Sequence, residues 1–262
     1  MPDANAKARI HLTRLRGAIR PFRLHWLPTV GSTNSHAAVL RRRGTLYAPA
    51  LVLTGNQTAG RGRGSNLWWS PKGCLTGTFV WPIDEQLQPQ QIPLIVGVAV
   101  RRAAVELAGE SSIELKWPND LLHRDRKLAG ILCERIDRCD LIGIGLNVCP
   151  DLAVMPKGLR DRVTSLSDIA GRAIDLTAAV IAIGRHLNQL LSRPDERNFP
   201  KLLAEYDEHH ALIGRTVSIT TNPTEPALRG VVKGLDDAGR LLLKTRGGIE
   251  RILSGQVNLH ER

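Results

Sequence analysis

Residues 57–70 read Gln-Thr-Ala-Gly-Arg-Gly-Arg-Gly-Ser-Asn-Leu-Trp-Trp-Ser, so that Gly60, Gly62 and Gly64 alternate with Arg61 and Arg63. Residues 50–54, just before, are a short apolar run. Residues 74–81, just after, are rich in β-branched and aromatic side chains, and both flanks read as strands. The segment is therefore a loop joining two strands of one sheet, and its content limits what it can do. Glycines let the backbone come close to a ligand and leave amide N–H groups free to face an anion. The forked guanidinium groups of Arg61 and Arg63 suit carboxylate and phosphate. The same composition also describes a plain exposed Gly/Arg loop. It is not a Walker A loop, because no Gly-Lys-Ser/Thr follows. The strand on each side also denies it the strand–loop–helix setting of a dinucleotide fingerprint.

A second region adds polar groups on rigid supports. Residues 113–116 read as a strand that delivers Lys116 to a turn, Trp117-Pro118-Asn119-Asp120. A proline-set loop at a strand end holds side chains such as Asn119 and Asp120 in fixed positions. Asp120 has the oxygen chemistry to meet Mg²⁺, and equally the chemistry of a turn-forming Asx side chain. A hairpin around residues 124–126 leads into Lys127-Leu128-Ala129-Gly130-Ile131-Leu132. A lone lysine at a strand start is ordinarily a solvated charge. Gly130 allows close backbone approach, and Gly143 and Gly145, alternating on the strand at 140–148, leave room for a ligand. Upstream, Ser32 or Thr33 can cap a helix from residue 35 to 43.

Taken in order, Gly31-Ser32-Thr33-Asn34, Gly60-Arg61-Gly62-Arg63, Lys116-Trp117-Pro118-Asn119-Asp120, Lys127 to Leu132 and Gly143-Ile144-Gly145-Leu146-Asn147 resemble the catalytic domain of the biotin protein ligases. Each block alone is weak; the ordered set is specific. The resemblance implies an α+β fold of the class II synthetase-like, biotin–lipoyl ligase type, with a mixed sheet flanked by helices. It implies that biotin and ATP join as biotinyl-5′-AMP, and that biotin then passes to a lysine of a biotin carboxyl carrier domain. By the same resemblance Ser32, Thr33, Asn34, Gln57, Gly60, Arg61, Gly62, Arg63, Trp68, Lys127 and Gly130 bind biotin. Arg61, Arg63, Lys116, Asn119, Asp120, Lys127 and Asn147 meet ATP. Arg61, Arg63, Lys127 and Asp120 are the catalytic set, with Asp120 on Mg²⁺. The family's loop often reads Gly-Arg-Gly-Arg-Arg-Gly, whereas Arg63 is followed here by Gly64-Ser65. One cationic donor is missing, and weaker retention of the intermediate is the expected consequence.

With 262 residues the chain can bury one good core and a small satellite domain. The boundaries expected are a basic tail at 1–24, a catalytic domain at 25–210 and an SH3-like β-barrel at 211–262. The last of these rests on five short strand signals separated by turns such as Asp236-Asp237-Ala238-Gly239. Net charge is +11, and residues 1–24 hold six basic groups against Asp3. Such a tail reads as a solvated arm, with part of it able to form a short amphipathic helix. It is too short for a helix-turn-helix module, so the expected form is one without an N-terminal DNA-binding domain, and specific DNA binding is not expected. The charge still favours an acidic partner, and a non-catalytic basic nucleic-acid-binding protein is the rival of another class. A lipoate-type protein ligase is the rival of the same fold. No apolar run approaches the ~20 residues a bilayer requires, and no signal peptide is visible, so a cytoplasmic protein is expected. The sequence leaves homodimerisation open. Cys74, Cys133, Cys139 and Cys149 form no Cys-x-x-Cys pair and read as buried thiols. His209 and His210, adjacent on an expected helix, point about 100° apart and do not suit one metal.

Overall fold

The computed structural model describes residues 9–151, 155–192, 198–222 and 224–259. Residues 1–8, with Asp3 and Lys7 of the basic tail, lie outside the described residues. The larger sheet holds β1 (Arg23–Leu27), β2 (Ala50–Thr54), β3 (Cys74–Pro82), β4 (Ile113–Lys116), β5 (Asp120–His123), β6 (Arg126–Ile136) and β7 (Cys139–Asn147). Their spatial order is β1-β2-β3-β7-β6-β5-β4. β1 pairs parallel to β2 and every other neighbour pair is antiparallel, so the sheet is mixed.

Strand alternation builds two cores from one sheet. Leu51 and Leu53 of β2 enter the main core, while Ala50 and Val52 turn to a smaller one. Phe79 and Val80 of β3 divide in the same way, as do Ile142 and Leu141 of β7. The smaller core is closed by α2 (Thr33–Arg42), whose Ala37 and Ala38 face the sheet. The main core is closed by α3 (Ile92–Ala108) and α6 (Leu176–Leu191). Pro93 sits in the first turn of α3, and Gly109 ends it at a left-handed φ of 70°. The short α5 (Leu166–Ala170) and then α7 (Phe199–Glu208) complete the layer, while the single turn α4 (Lys157–Arg160) buries no residue and borders the cleft through Leu159.

The amino-terminal segment departs from the solvated arm expected for it. Leu12–Ala18 forms α1, and Leu15, Ile19 and Phe22 are all but fully buried. The spacing of Leu12, Leu15 and Ile19 places them on one helical face, and the arginines between them point outward. The backbone N–H of His11 donates to Thr177 Oγ1 at 2.9 Å, and Phe22 meets Phe79 edge to face at 4.9 Å between centroids. Leu15→Ala is expected to cost about 3 kcal/mol of unfolding free energy, as for a fully buried leucine truncated in a close-packed core. Urea unfolding within about 0.5 kcal/mol of the parent would return this segment to the surface.

The carboxy-terminal sheet holds β8 (Thr216–Thr220), β9 (Leu228–Leu235), β10 (Leu241–Thr245), β11 (Gly248–Ile252) and β12 (Gln256–Leu259), all antiparallel, in the order β11-β10-β9-β8-β12. This is the small SH3-like unit, with its ladder open between β11 and β12 among the described residues. It does not stand apart from the rest of the chain. Val217, Ile219, Val232, Leu241 and Leu243 belong to the main core. The Trp117 indole N–H donates to the Gly239 carbonyl at 3.3 Å, and the Leu235 N–H donates to Asp207 at 3.1 Å. His209 closes α7 and His210 lies beyond it, bridged to Leu115, so the histidine pair is not on a helix as expected.

Candidate active site

The glycine–arginine segment folds into a tight hairpin. Arg61 bridges Leu67, the Gly62 N–H donates to the Asn66 carbonyl at 2.8 Å, and the Trp68 N–H donates to the Gly60 carbonyl at 3.0 Å. This closeness needs Gly60, because a Cβ there would overlap the Trp68 carbonyl and stand 2.7 Å from Gln57 Nε2. Gly64 makes the turn at φ +60°, a left-handed conformation that favours glycine.

The hairpin roofs a cleft of about 1100 Å³ whose floor is the face of β6 and β7. Ser32, Thr33, Asn34, Gln57, Arg61, Gly62, Arg63, Trp68, Lys116, Asn119, Asp120, Lys127, Gly130 and Asn147 all line it. Of the biotin- and ATP-binding residues expected from the sequence, Gly60 alone is absent from the lining; it packs against the Trp68 carbonyl and Gln57. Arg61, Arg63 and Lys127 therefore share one cavity. Residues 254–259 of the carboxy-terminal sheet, with Thr220 and Thr221, close its far end.

One corner is a chain of oriented polar groups. Ser32 Oγ accepts from the Ser35 N–H and starts α2. The Thr33 N–H donates to Gln57 Oε1 at 2.9 Å, which turns Gln57 Nε2 toward Gly60. Thr78 Oγ1 donates within reach of both Thr33 Oγ1 at 2.8 Å and Asn34 Oδ1 at 2.6 Å. Asn34 Nδ2 donates to the Leu132 carbonyl at 3.1 Å and to Glu134 at 2.8 Å. Asn34 is thus a hub of the wall, with its amide held from three sides. Thr78 and Glu134 were not singled out in the sequence, although a signal existed for each. Thr78 is a polar residue inside an apolar strand, and the alternation of β6 puts Glu134 on the face of Gly130 and Leu132.

The floor glycines serve protein groups rather than ligand directly. A Cβ on Gly145 would overlap the Trp68 indole, and one on Gly143 would overlap the Asn34 amide. Gly130 gives space to Lys127 Nζ and to Trp68, both 3.3 Å from where its Cβ would be. The room that alternating Gly143 and Gly145 were expected to leave for a ligand is filled by the Asn34 amide and the Trp68 indole.

The charged groups stand beside this floor. Lys127 Nζ is 2.7 Å from Asp120 Oδ1 and 5.8 Å from the Trp68 ring centroid. Arg63 Nη1 donates to Asn119 Oδ1 at 3.5 Å, and Asn119 Nδ2 donates to the Ile131 carbonyl at 2.7 Å. Burial pulls the Arg63 guanidinium below its ordinary range, partly offset by Asp120. Burial likewise lowers Lys116; Asp120 opposes this, while Lys127, Arg162 and Arg215 add to it. Arg162 also lines the cleft, and its carbonyl accepts from the Lys127 N–H at 2.8 Å. Asn147 Nδ2 donates to the Thr164 carbonyl at 3.0 Å and to that of Lys127 at 3.4 Å, and so braces the start of β6. All four cysteines are free thiols, but only Cys74 and Cys139 are buried as expected; Cys133 and Cys149 are half-buried. Desolvation raises the Cys74 and Cys133 thiols far above their ordinary range, which disfavours the nucleophilic thiolate.

Known proteins show the same organisation. Residues 26–149 match the biotin/lipoate A/B protein ligase family, and residues 212–259 match the biotin protein ligase C terminal domain. A biotin--[acetyl-CoA-carboxylase] ligase of Mycobacterium tuberculosis is 30% identical over 232 residues, covering 87% of this chain and 85% of that protein. The bifunctional ligase/repressor BirA of Bacillus subtilis is 34% identical over 216 residues, covering 80% of this chain. The matched part spans 66% of that relative's length. Among solved structures, the biotin protein ligase of Aquifex aeolicus in complex with biotin and ATP superposes with a TM-score of 0.80 at 29% identity, covering 92% of this chain and 99% of that one. With a relative of 30% identity matched along most of both lengths, this chain belongs to the biotin protein ligase family.

Proposed function

We propose that the chain is an ATP-dependent biotin protein ligase, which activates biotin as biotinyl-5′-AMP and then transfers it to a lysine of a biotin carboxyl carrier domain. The observation that carries this reading is the convergence of Arg63, Lys116 and Lys127 on one cleft beside an oriented amide corner. In the first step a carboxylate oxygen of biotin attacks the α-phosphorus of ATP, and the bond to the departing pyrophosphate breaks. Two anions must meet in space largely closed to water, so positive charge has to stand there beforehand. Lys127 is placed to leave Asp120 and meet the carboxylate and the α-phosphate together, while Arg63 and Lys116 face the phosphates. In the second step the acceptor amine attacks the acyl carbon and AMP leaves. Holding both partners in register supplies the other large contribution to rate.

The ring end of biotin suits the amide corner. Gln57 Nε2 is a donor toward a ureido oxygen, since its Oε1 is occupied by Thr33. Trp68 supplies apolar wall, and Ser32, Thr33 and Asn34 supply the polar rim. Gly60 lets the hairpin strands approach closely, and Gly62 presents backbone to the cleft. Asn119 and Asn147 hold the strands on the nucleotide side. For Mg²⁺, no group of three His, Cys, Asp or Glu converges among the described residues. Asp120, already paired with Lys127, fits a hydrated Mg²⁺ brought in on phosphate, with one carboxylate contact. When bound, the ion neutralises phosphate charge.

The test is ATP/pyrophosphate exchange with and without biotin. Exchange is expected only with biotin; equal stimulation by lipoate, or exchange without either acid, would overturn the reading. The hairpin at 61–67 is expected to tighten on the ligands, because a glycine-rich, like-charged segment pays for its order in chain entropy. Amide exchange at Gly62 and Trp68 should slow by about tenfold or more when biotin and ATP are present. Equal protection in both states would contradict closure.

A further inference from the structure

Arg61 and Glu134 meet at the mouth of the cleft in a geometry that the reaction itself does not require. Arg61 Nη2 lies 2.8 Å from Glu134 Oε1, and Nη1 lies 3.4 Å from Oε2. Nη1 also donates to Ser35 Oγ at 3.2 Å. Glu134 Oε2 accepts in addition from Asn34 Nδ2 at 2.8 Å. Both carboxylate oxygens and both terminal nitrogens of the guanidinium are therefore engaged within the protein. A substrate carboxylate could take Arg61 only by breaking a two-point, charge-assisted contact. Arg63 has no acidic partner at ion-pair distance among the described residues, and it points inward to Asn119.

We propose that Glu134 is a positioning residue that clamps the glycine–arginine hairpin to β6, and that Arg61 serves the ligand through this clamp rather than by touching it. The inference rests on the ligase reading for its kinetic consequences but not for its structural one. Glu134 stands at the junction of two parts that must move together. Through Arg61 it holds the first residue of the hairpin, whose partner across the bridge is Leu67. Through Asn34 it reaches Thr78 and Thr33, and from there Gln57. The clamp therefore couples closure of the roof to the orientation of the amide corner. The Arg61 side chain is 46% exposed and that of Glu134 28%, so the pair contributes little to global stability. Its effect falls on how long the roof stays shut.

Two measurements test this, one of which needs no substrate. In Glu134→Ala, hydrogen exchange at the Gly62 and Trp68 amides of the ligand-free protein is expected to quicken by about tenfold, with melting temperature nearly unchanged. Unaltered exchange at both amides would overturn the clamp whatever the enzyme does. In pyrophosphate exchange, Glu134→Ala is expected to raise KM for biotin and to speed release of the adenylate, each by about tenfold, with kcat at saturating biotin within about threefold of the parent. Arg61→Ala should match it, and the double variant should be no worse than either single one, as for two groups acting as a unit. The charge swap Arg61→Glu with Glu134→Arg should recover part of the loss. Additive losses, or an Arg61→Ala defect concentrated in kcat, would show that Arg61 touches the reacting groups directly and would overturn the proposal. Exchange that is independent of biotin in the parent would instead refute the ligase reading, leaving the amide-exchange result to decide the clamp.

Discussion

Lys127→Ala is expected to lower biotin-dependent ATP/pyrophosphate exchange by about 10³-fold, the scale of removing one preorganised donor from a developing charge. The lysine is hard to replace because of where the fold sets it. It begins the cleft-side run of β6, and its backbone is pinned on both sides, by the Arg162 carbonyl that accepts from its N–H and by the Thr164 N–H that donates to its carbonyl. Its side chain lies over Gly130 with Nζ beside Asp120. Alanine would remove the cation and also leave the Asp120 carboxylate unpaired beside an incoming triphosphate, so attraction would turn into repulsion. Folding should be little affected, because the pair is partly solvated and such pairs contribute at most about 1 kcal/mol. Lys127→Arg tests position against charge. The flat, longer guanidinium carries its charge away from the point the ammonium holds beside Asp120, and a loss nearly as large is expected. An alanine variant that is folded and exchanges pyrophosphate within about tenfold of the parent would remove Lys127 from the chemistry.

The sequence was most legible where residue type and spacing coincide with rigid elements. Strand β4 ending at Lys116, the turn to Asp120 and the hairpin into Lys127 are marked in turn by apolar–polar alternation, a proline and a turn, and the structure sets them side by side. The five strands of the carboxy-terminal sheet were legible for the same reason, since turn residues punctuate them. The amino-terminal segment is legible as a short amphipathic helix but not as part of the core, because charge dominates its composition. The burial of Leu15 and Ile19 is decided by a partner, α6, that lies more than 150 residues away in the chain, and that of Phe22 by Phe79 and Trp81 of β3. Glu134 was overlooked for a related reason. A glutamate on a strand ordinarily faces water, and only the three-dimensional closeness of Arg61 and Asn34 gives it work. Gly143 and Gly145 of β7 are legible as making room but not for what fills it, because the occupants, Asn34 of α2 and Trp68 of the hairpin, come from segments distant in the sequence.

Gly145→Ala follows from that last point and should weaken biotin binding by about 10²-fold, as when a central aromatic contact is lost. Gly145 pairs with Thr76 on one side and Gly130 on the other, at the middle of the floor. The Trp68 indole rests on it so closely that a single methyl group must displace the ring. The displacement cannot stay local. Trp68 donates its backbone N–H to the Gly60 carbonyl, and moving the ring away from the floor strains the hairpin that carries Arg63. The protein itself should fold as well as before. Alanine in a strand has less backbone entropy to lose than glycine, by roughly 0.5–1 kcal/mol, and the indole has open cleft to move into. A loss of binding without a loss of stability is thus the signature, measured by calorimetric titration with biotin alongside urea unfolding. The pathway is checked with Trp68→Ala: if Gly145→Ala acts by evicting the ring, the double variant binds no worse than Trp68→Ala alone. Binding by Gly145→Ala within about threefold of the parent would mean that the ring is not part of the biotin wall, and additive losses would mean that the floor itself touches the ligand.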